Sequence, residues 1–420
     1  MEVLVLGSGG REHTICYQLK KSNKVSKIHC LPGNAGISEI ATIENISVMD
    51  KQGVLQYLNR NPQIELTIVA PDDPLADGMV DFLEENGKRA FGPRKNAAII
   101  EASKSFSKWL MKKYNIPTAE YEEFTDYNEA VNYLKTANFP LVVKADGLAL
   151  GKGVIICKTL DEGLQAVHEM MVENKFALAG KKVIIEEFLV GKEVSVLCFT
   201  DGKTIVPMVS SQDHKRINDN DEGLNTGGMG TFSPSRIYTK EMADNVYKTI
   251  IVPTIRAMEK EGRLFKGVLY FGLMLTDSGV KVLEYNARFG DPETQVVLPK
   301  LENDFVDVCN ATIDGTLDKI DFKWKDEAMV CVIVASGGYP VKYAKGKEIT
   351  FDNIDSDVLV FHAGTAFDNG KLVTNGGRVL GVTASGKTMK EAQIKAYKNV
   401  EKVHFDGMHY RKDIGNKYYD

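Results

Sequence analysis

The sequence predicts a multidomain protein of mixed α/β and α+β class, and three observations carry that reading. Its 420 residues exceed what a single core fills at about 150 residues per domain. The first hundred residues alternate short apolar runs with helical patterns, the order that builds a parallel sheet. Further along, apolar runs follow one another across tight turns, the mark of antiparallel hairpins. Hydrophobic residues at 43% and charged residues at 26% describe an ordinary globular chain and exclude collagen-like or largely disordered ones.

Strands at 2–6, 27–31 and 66–70 alternate with helices starting at about Arg11 and near 54–58, a βαβαβ series with right-handed crossovers. One helix is expected over 74–86, then a short strand at 89–91, and this Rossmann-like parallel domain closes near residue 100. A helix at 103–114 opens the middle block, 101–326. There a strand at 140–144, a glycine-rich stretch and a strand at 153–157 precede strands at 182–188 and 193–199. Residues 241–261 have helical period with Pro253 inside, which should bend the helix. Runs at 267–276 and 280–287 flank Asp277-Ser278-Gly279 as a hairpin. From about Glu327 strands at 329–335, 358–361 and 378–384 precede a helix opened by the capping box Thr388-x-x-Glu391, giving a small β-rich C-terminal domain, 327–420.

A net charge of −5 leaves no general basic surface for nucleic acid or anionic lipid, so phosphate chemistry must use local cations. The cysteines Cys16, Cys30, Cys157, Cys198, Cys309 and Cys331 lie far apart, mostly in apolar runs, and read as reduced core residues of a cytoplasmic protein. The start MEVLVLGSGG shows neither a signal peptide nor a membrane span, and a monomer with no membrane or nucleic-acid partner is expected.

Five stretches carry chemistry. In Leu4-Val-Leu-Gly7-Ser8-Gly9-Gly10-Arg11-Glu12-His13 a strand runs through glycines into a helix, whose first N–H groups suit a phosphate. Glu12 breaks the GxGxxG dinucleotide pattern, and Cys30-Leu31-Pro32-Gly33 lacks the acidic residue that grips a ribose. A phosphate-ester site and a plain tight turn both stay open. Pro32, Gly33, Asn34, Ala35 and Gly36, like Pro71-Asp72-Asp73-Pro74, follow strands at the sheet end where ligands bind, but taken alone are turns. Lys144-Ala-Asp-Gly147-Leu-Ala-Leu-Gly151-Lys152-Gly153 lacks the GK[ST] and following helix of a P-loop. It fits a glycine hairpin closing over phosphates with Lys144 as a point charge, or a solvated hairpin.

The stretch from Glu186 to Glu193 could offer backbone groups to adenine and a carboxylate to a ribose, or be a strand and turn. In Lys281-Val-Leu-Glu284-Tyr-Asn286-Ala-Arg288-Phe-Gly290-Asp291-Pro292-Glu293 a strand period of two puts Glu284 and Asn286 on one face. Their carboxylate and amide oxygen suit Mg²⁺ bridged to phosphates. Arg288 joins that face if the strand continues, and its fork matches a phosphate or carboxylate; a merely wet strand face is the alternative. Ser211-Gln-Asp213-His214-Lys215-Arg216 and Asn225-Thr-Gly-Gly-Met-Gly230 are too polar for a core and fit a ligand-holding or mobile loop. No nucleophile constellation or zinc spacing emerges, so covalent hydrolase chemistry lacks support.

In their order, Lys144 with its hairpin, the Glu186 to Glu193 linker and Glu284-x-Asn286 resemble the ATP-grasp superfamily. The signatures GGREH, PGNAG, SQDHKR, NTGGMG, NARFGDPE, TNGGRVLGV and RKDIG are similar, end to end, to those of the glycinamide ribonucleotide synthetase (phosphoribosylamine-glycine ligase) family. The resemblance implies a central ATP-grasp module of two subdomains. It also implies a ligase that joins glycine to 5-phosphoribosylamine through glycyl phosphate in purine (IMP) biosynthesis, with ATP and Mg²⁺ or Mn²⁺.

Carried over by position, Lys104 and Lys144, with Gly151 and Gly153, meet the ATP phosphates. Glu186, Glu187, Phe188 and Leu189 frame adenine, Glu193 holds the ribose, and Glu284 and Asn286 hold the metal. Gly9, Gly10, Arg11 and the run from Pro32 to Gly36 lie near the sugar phosphate. Asp213, Lys215 and Arg288 are the catalytic candidates around glycine and the acyl phosphate, with Asp291 and Thr294 beside them. The family commonly has glutamate, proline and glycine where Asp72, Leu224 and Ala102 stand, and residues 269–275 lack a further metal carboxylate found in many ATP-grasp enzymes. Alternatives are another ATP-grasp ligase, such as a purine-pathway carboxylase or formyl-transfer enzyme, a dinucleotide-dependent oxidoreductase, and a non-catalytic nucleotide-binding regulator. The regulator should have lost Lys144, Glu284 or Asn286.

Overall fold

Strand β1 (Glu2–Gly7) is apolar on both faces and buried from Val3 onward, as a central parallel strand must be. With β2 (Lys27–Pro32), β3 (Thr42–Ile43), β4 (Ile64–Val69) and β5 (Ala90–Phe91) it forms a parallel sheet ordered β3-β2-β1-β4-β5. The crossovers carry α1 (Gly10–Lys20), α2 (Lys51–Arg60), α3 (Asp72–Asp77) and α4 (Met79–Glu85), and α5 (Lys95–Ala102) follows. The structure is a computed structural model describing residues 1–147, 153–173 and 182–419.

The single helix expected over 74–86 is two helices. Gly78 adopts φ +89° between α3 and α4, a left-handed conformation that ends the first helix and that only glycine takes without strain.

Helix α6 (Lys104–Lys113) starts at Ser103, whose hydroxyl accepts the Phe106 N–H at 3.1 Å. Beyond it β6 (Tyr121–Phe124), α7 (Tyr127–Leu134), β7 (Leu141–Ala145), β8 (Val154–Cys157), α8 (Leu160–Met171) and β9 (Val183–Glu187) build an antiparallel sheet, β6-β9-β7-β8. A second sheet, ordered β11-β10-β16-β17, contains β10 (Lys192–Thr200) and β11 (Ile205–Pro207); its other two strands follow later in the chain.

Between them come β12 (Gln212–Asp213), the pair β13 (Arg216–Asn218) and β14 (Glu222–Asn225), β15 (Gly230–Ser233), α9 (Lys240–Val246) and α10 (Val252–Lys260). The bend expected at Pro253 takes the form of a π-turn over Tyr247–Ile251, just before the proline, which has no N–H to give the preceding turn. Strands β16 (Gly267–Thr276) and β17 (Gly279–Asn286) then form the predicted hairpin, followed by α11 (Thr294–Val297) and α12 (Phe305–Asp314).

The C-terminal part is β-rich: β18 (Ala328–Ser336), β19 (Thr350–Phe351), β20 (Leu359–His362), β21 (Thr365–Asp368), β22 (Lys371–Thr374), β23 (Arg378–Gly386), α13 (Met389–Val400), β24 (Val403–His404) and β25 (Met408–His409). Its main sheet runs β12-β15-β18-β23-β20, so two strands from the middle of the chain join it, and α13 packs across β18 and β23. Thr388 caps α13 by accepting the Glu391 N–H, while the Glu391 carboxylate reaches past it to the Lys387 N–H at 2.9 Å.

The apolar clusters do not respect the three segments. Leu4, Leu6, Val69 and Ala97 belong to one cluster with Phe271, Val282 and Tyr285 of the β16–β17 hairpin, which locks the ends of β1, β4 and β17 against each other. All six cysteines are buried and unpaired. Among the described residues no helix is long and apolar enough to cross a membrane.

Candidate active site

Two groups of residues meet where the parallel sheet ends against the β16–β17 hairpin. The first lies between the two middle sheets. In the β7–β9 register Val142 faces Glu186, so Glu186 and Lys144 point to one side. Lys144 Nζ donates to Glu186 Oε2 at 2.8 Å, and Lys108 Nζ stands 3.1 Å from the same oxygen. Lys108 is 2% exposed and also donates to Thr118 Oγ1 at 2.8 Å; burial lowers its ammonium to about 8, against the pull of Glu186. Glu186 Oε1 is buried without a partner. Lys104 Nζ donates to the Gly147 carbonyl at 2.6 Å. Beside this group Ala119, Leu189, Met274 and Leu283 form an apolar floor.

Glu284 sits on β17 across from Gly272, whose missing side chain leaves room for the Glu284 stem. Lys215 Nζ lies 3.4 Å from Glu284 Oε1 and 3.3 Å from Glu193 Oε2. Lys215, then Lys144 and Lys104, hold the Glu284 carboxyl down to about 2, against burial. Lys215 is itself pushed well up, chiefly by Glu193. Asn286 is half-buried two residues on, so one face offers an ionised carboxylate and an amide oxygen, the hard donors a divalent cation takes. Tyr270 faces Asn286, and no carboxylate faces either residue on β16. Among the described residues no group of three or more His, Cys, Asp or Glu could hold a metal ion.

Strand β17 ends at Asn286, so Arg288 does not continue its face. The guanidinium turns to the N-terminal region, with NH2 at 3.0 Å from Glu101 Oε1 and 3.6 Å from Asp72 Oδ2. Its Nε is buried without a partner. Burial raises the Glu101 carboxyl to about 7 despite Arg288.

The second group joins four loops. A Cβ on Gly9 would crowd Glu12 Oε2 at 2.8 Å and come into ordinary contact with Asp291 Oδ2 at 3.4 Å, and one on Gly10 would press on Gln295 Nε2 at 2.7 Å, so the loops come close together at these two glycines. Arg11 donates to Glu12 at 2.6 Å and to the Phe289 carbonyl at 3.2 Å. Glu12 Oε2 accepts the Gly9 N–H at 2.7 Å, so the carboxylate that breaks GxGxxG occupies one of the donors a phosphate would use. Arg378 NH1 donates to the carbonyls of Gly227 and Asp291, each at 2.8 Å, and NH2 pairs with Asp291 Oδ2 at 3.2 Å. Asp213, against Gly228, is driven well up by burial and by Glu293, which is itself raised by burial.

Some expected residues are committed elsewhere. Asn34 Nδ2 donates to the carbonyls of Ser8 (2.8 Å) and His362 (2.9 Å), and its Oδ1 accepts the Ile37 N–H at 2.9 Å, making it a strut. Gly36 packs against the His362 ring, and the Ala35 N–H faces the Thr365 carbonyl, so the run from Pro32 to Gly36 leans on β20 and β21. Thr294 is fully buried and donates to the Gly290 carbonyl. Glu187 is exposed and pairs with Lys281 at 3.0 Å, and Phe188 is half-buried. Gly153 is a buried turn residue whose carbonyl accepts the Ala145 N–H; Gly151 lies outside the described residues.

Four residues of the site escaped the sequence reading: Glu101, Lys108, Glu293 and Arg378. Lys108 stands one helical turn after Lys104, a spacing that could have found it. Glu293 and Arg378 lie inside quoted signatures, and Glu101 carries no local signal at all.

Family models match the chain in three consecutive spans: the phosphoribosylglycinamide synthetase N domain over 1–101, its ATP-grasp (A) domain over 102–294 and its C domain over 329–417. A phosphoribosylamine–glycine ligase of Caldanaerobacter subterraneus is 47% identical over 418 residues, all of both chains. One from Vibrio cholerae is 45% identical over 99% of this chain and 98% of its own. The crystal structure of the Thermotoga maritima phosphoribosylamine–glycine ligase superposes with a TM-score of 0.86 at 36% identity, covering 98% of this chain and 100% of that one. The biotin carboxylase domain of a Hydrogenobacter thermophilus 2-oxoglutarate carboxylase shares the fold, at TM-score 0.75 and 15% identity over 97% of this chain and 91% of its own. Matched by these models over nearly its whole length, with relatives of this identity spanning it end to end, the chain belongs to the phosphoribosylglycinamide synthetase family.

Proposed function

We propose that this enzyme ligates glycine to 5-phosphoribosylamine, giving glycinamide ribonucleotide, ADP and phosphate through glycyl phosphate, a step of purine biosynthesis. The observation that carries the chemistry is Glu284, a carboxylate kept ionised by Lys215, Lys144 and Lys104 beside an apolar slot. The names of the relatives matched along the whole chain support the choice of substrates.

In this reading adenine lies over the floor of Ala119, Leu189, Met274 and Leu283, framed by Glu186, Glu187 and Phe188, with Glu193 on the ribose. Lys104 and Lys144 would neutralise the phosphates, with Gly151 and the turn at Gly153 beside them. Glu284 and Asn286 would hold Mg²⁺ or Mn²⁺; the H. thermophilus neighbour was solved with MgADP. When bound, the cation would neutralise charge on the transferring phosphoryl group.

Phosphoryl transfer to a carboxylate needs position and charge more than a protein nucleophile. Lys215 would orient the glycine carboxylate, and the Arg288 fork would stabilise charge on the acyl phosphate. Asp213, made more basic by burial and by Glu293, would in its ionised form take a proton from the attacking amine. Gly9, Gly10, Arg11 and Asp291 would border the sugar phosphate, with Asn34 and Thr294 fixing the loops around it.

The assay is ADP release with substrates omitted in turn. ADP is expected only when glycine, phosphoribosylamine, ATP and Mg²⁺ are all present, and turnover with another carboxylate but not glycine would sink the assignment.

A further inference from the structure

Glu101 is a carboxyl group almost shut away from water. It sits in the last turn of α5, 9% exposed, and reaches across to the chain just beyond β17. There its two oxygens do different things. Oε2 accepts the N–H of Ala287, itself 1% exposed, at 2.7 Å, and Oε1 pairs with Arg288 NH2 at 3.0 Å. Asp72, at the start of α3, faces the same guanidinium at 3.6 Å, and Arg288 NH1 is turned to the Phe289 carbonyl at 3.2 Å. Only Nε is left buried and unpartnered.

A buried ion pair of this kind adds little net stability, because desolvation offsets the attraction; what it adds is a fixed orientation. Here it fixes two things at once. The backbone bond to Ala287 holds β17 immediately after Asn286, and the ion pair holds one arm of Arg288. One carboxylate therefore sets the spacing between the Glu284–Asn286 face and the Arg288 fork.

We propose that Glu101 is a positioning residue for the ligase reaction, aligning Arg288 with the Glu284–Asn286 strand end while touching no substrate itself. The proposal rests on the function given above. Glu101 would act on the chemical step more than on nucleotide binding, since its two oxygens are bonded to Ala287 and Arg288, while Lys104, which only feels its charge, is bonded to the Gly147 carbonyl. Removing such an orienting partner typically lowers activity 10- to 100-fold.

The test is steady-state kinetics on the full-length enzyme, run about one to two pH units above the value of about 7 to which burial raises Glu101, so that its carboxylate is ionised. Glu101→Gln keeps the length and an acceptor for Ala287 but loses the charge toward Arg288. Its kcat is expected to fall about 10- to 100-fold with KM for ATP and glycine within about twofold. Glu101→Asp, which keeps the charge, should retain more activity than Glu101→Gln. In an Arg288→Lys background Glu101→Gln should lower kcat further by less than about threefold, since coupled residues are not additive.

Wild-type kcat in Glu101→Gln, an equal fall in both backgrounds, or a rise confined to KM for ATP overturns the proposal. So does loss of soluble protein in the Gln and Asp variants alike, which would mark Glu101 as a folding residue. Failure of the wild type to turn over glycine and phosphoribosylamine would instead refute the function, so the two failures are distinct.

Discussion

Arg411, in the RKDIG signature, is fully buried, and its guanidinium is used up on neighbours: Nε and NH2 on Asp413 at 2.7 and 2.6 Å, NH1 on Asp221 at 2.9 Å and on the Arg216 carbonyl at 3.1 Å. It thus ties the C-terminal end to the β13–β14 hairpin, one residue past Lys215. Arg411→Met would leave two carboxylates behind. Breaking a buried pair costs about 3–5 kcal/mol. Asp221 is half-exposed and keeps Lys417 at 2.7 Å, so about 3 kcal/mol, the low end, is expected here.

A second route checks that figure. Against the opposing effect of burial, Arg411 and the Asn220 N–H hold Asp413 down to about 2, from an ordinary 3.8. At 1.36 kcal/mol per pH unit, discounted for the solvent that still reaches this carboxylate, that is about 1–2 kcal/mol, a large part of the loss. The folded carboxyl is depressed, so its contribution is present above pH 3.8 and fades as pH falls toward 2. Urea melts followed by circular dichroism should show the variant about 3 kcal/mol less stable at pH 7, and the gap should narrow by about 1 kcal/mol at pH 3. A gap under about 1 kcal/mol at pH 7, or one that does not narrow in acid, would refute the reasoning.

Other perturbations separate the roles of single residues. Glu284→Gln should lower ADP release at least about 100-fold at saturating Mg²⁺ with an unchanged circular dichroism spectrum; ordinary activity would remove Glu284 from the site. Lys108→Met withdraws one of two cations from Glu186, and a bond to a charged group is worth about 1.5–3 kcal/mol, so KM for ATP should rise about 10- to 100-fold while KM for glycine holds. Asn34→Ala strands two carbonyls and one N–H in a buried corner and should cost about 2–3 kcal/mol in a urea melt; under about 0.5 kcal/mol would mean the strut is dispensable. Glu101, raised to about 7 by burial, contributes stability below pH 4.5 that is lost as pH climbs through 7. Relative to Glu101→Gln, the wild type should therefore lose about 3 kcal/mol between pH 4.5 and 7.5, and parallel curves would contradict the burial argument.

Much of this protein was legible in one dimension because the signals are local. Alternation of apolar runs marked the parallel sheet, and the turn Asp277-Ser278-Gly279 marked the hairpin. The period of two put Glu284 and Asn286 on one face. The misses are also physical. The run over 74–86 has helical composition throughout, and only the left-handed Gly78 divides it, where α3 and α4 pack back against the sheet. Arg288 joins that face only if the strand continues; β17 ends at Asn286, and Arg288 pairs instead with buried Glu101.

What the sequence by itself determined is the set of chemical groups: which lysines, carboxylates and glycine loops exist, and in what order, since these are read along the chain. What only the tertiary structure decided is which of them meet. Glu101 reaches Ala287 and Arg288, 186 and 187 positions on, Lys215 reaches Glu284, and Arg378 spans the loops of Gly227 and Asp291. Those pairings depend on how three sheets pack, and burial then sets each group's charge. The same carboxylate chemistry is ionised down to about 2 at Glu284, among three lysines, and held up to about 7 at Glu101, shut away from water.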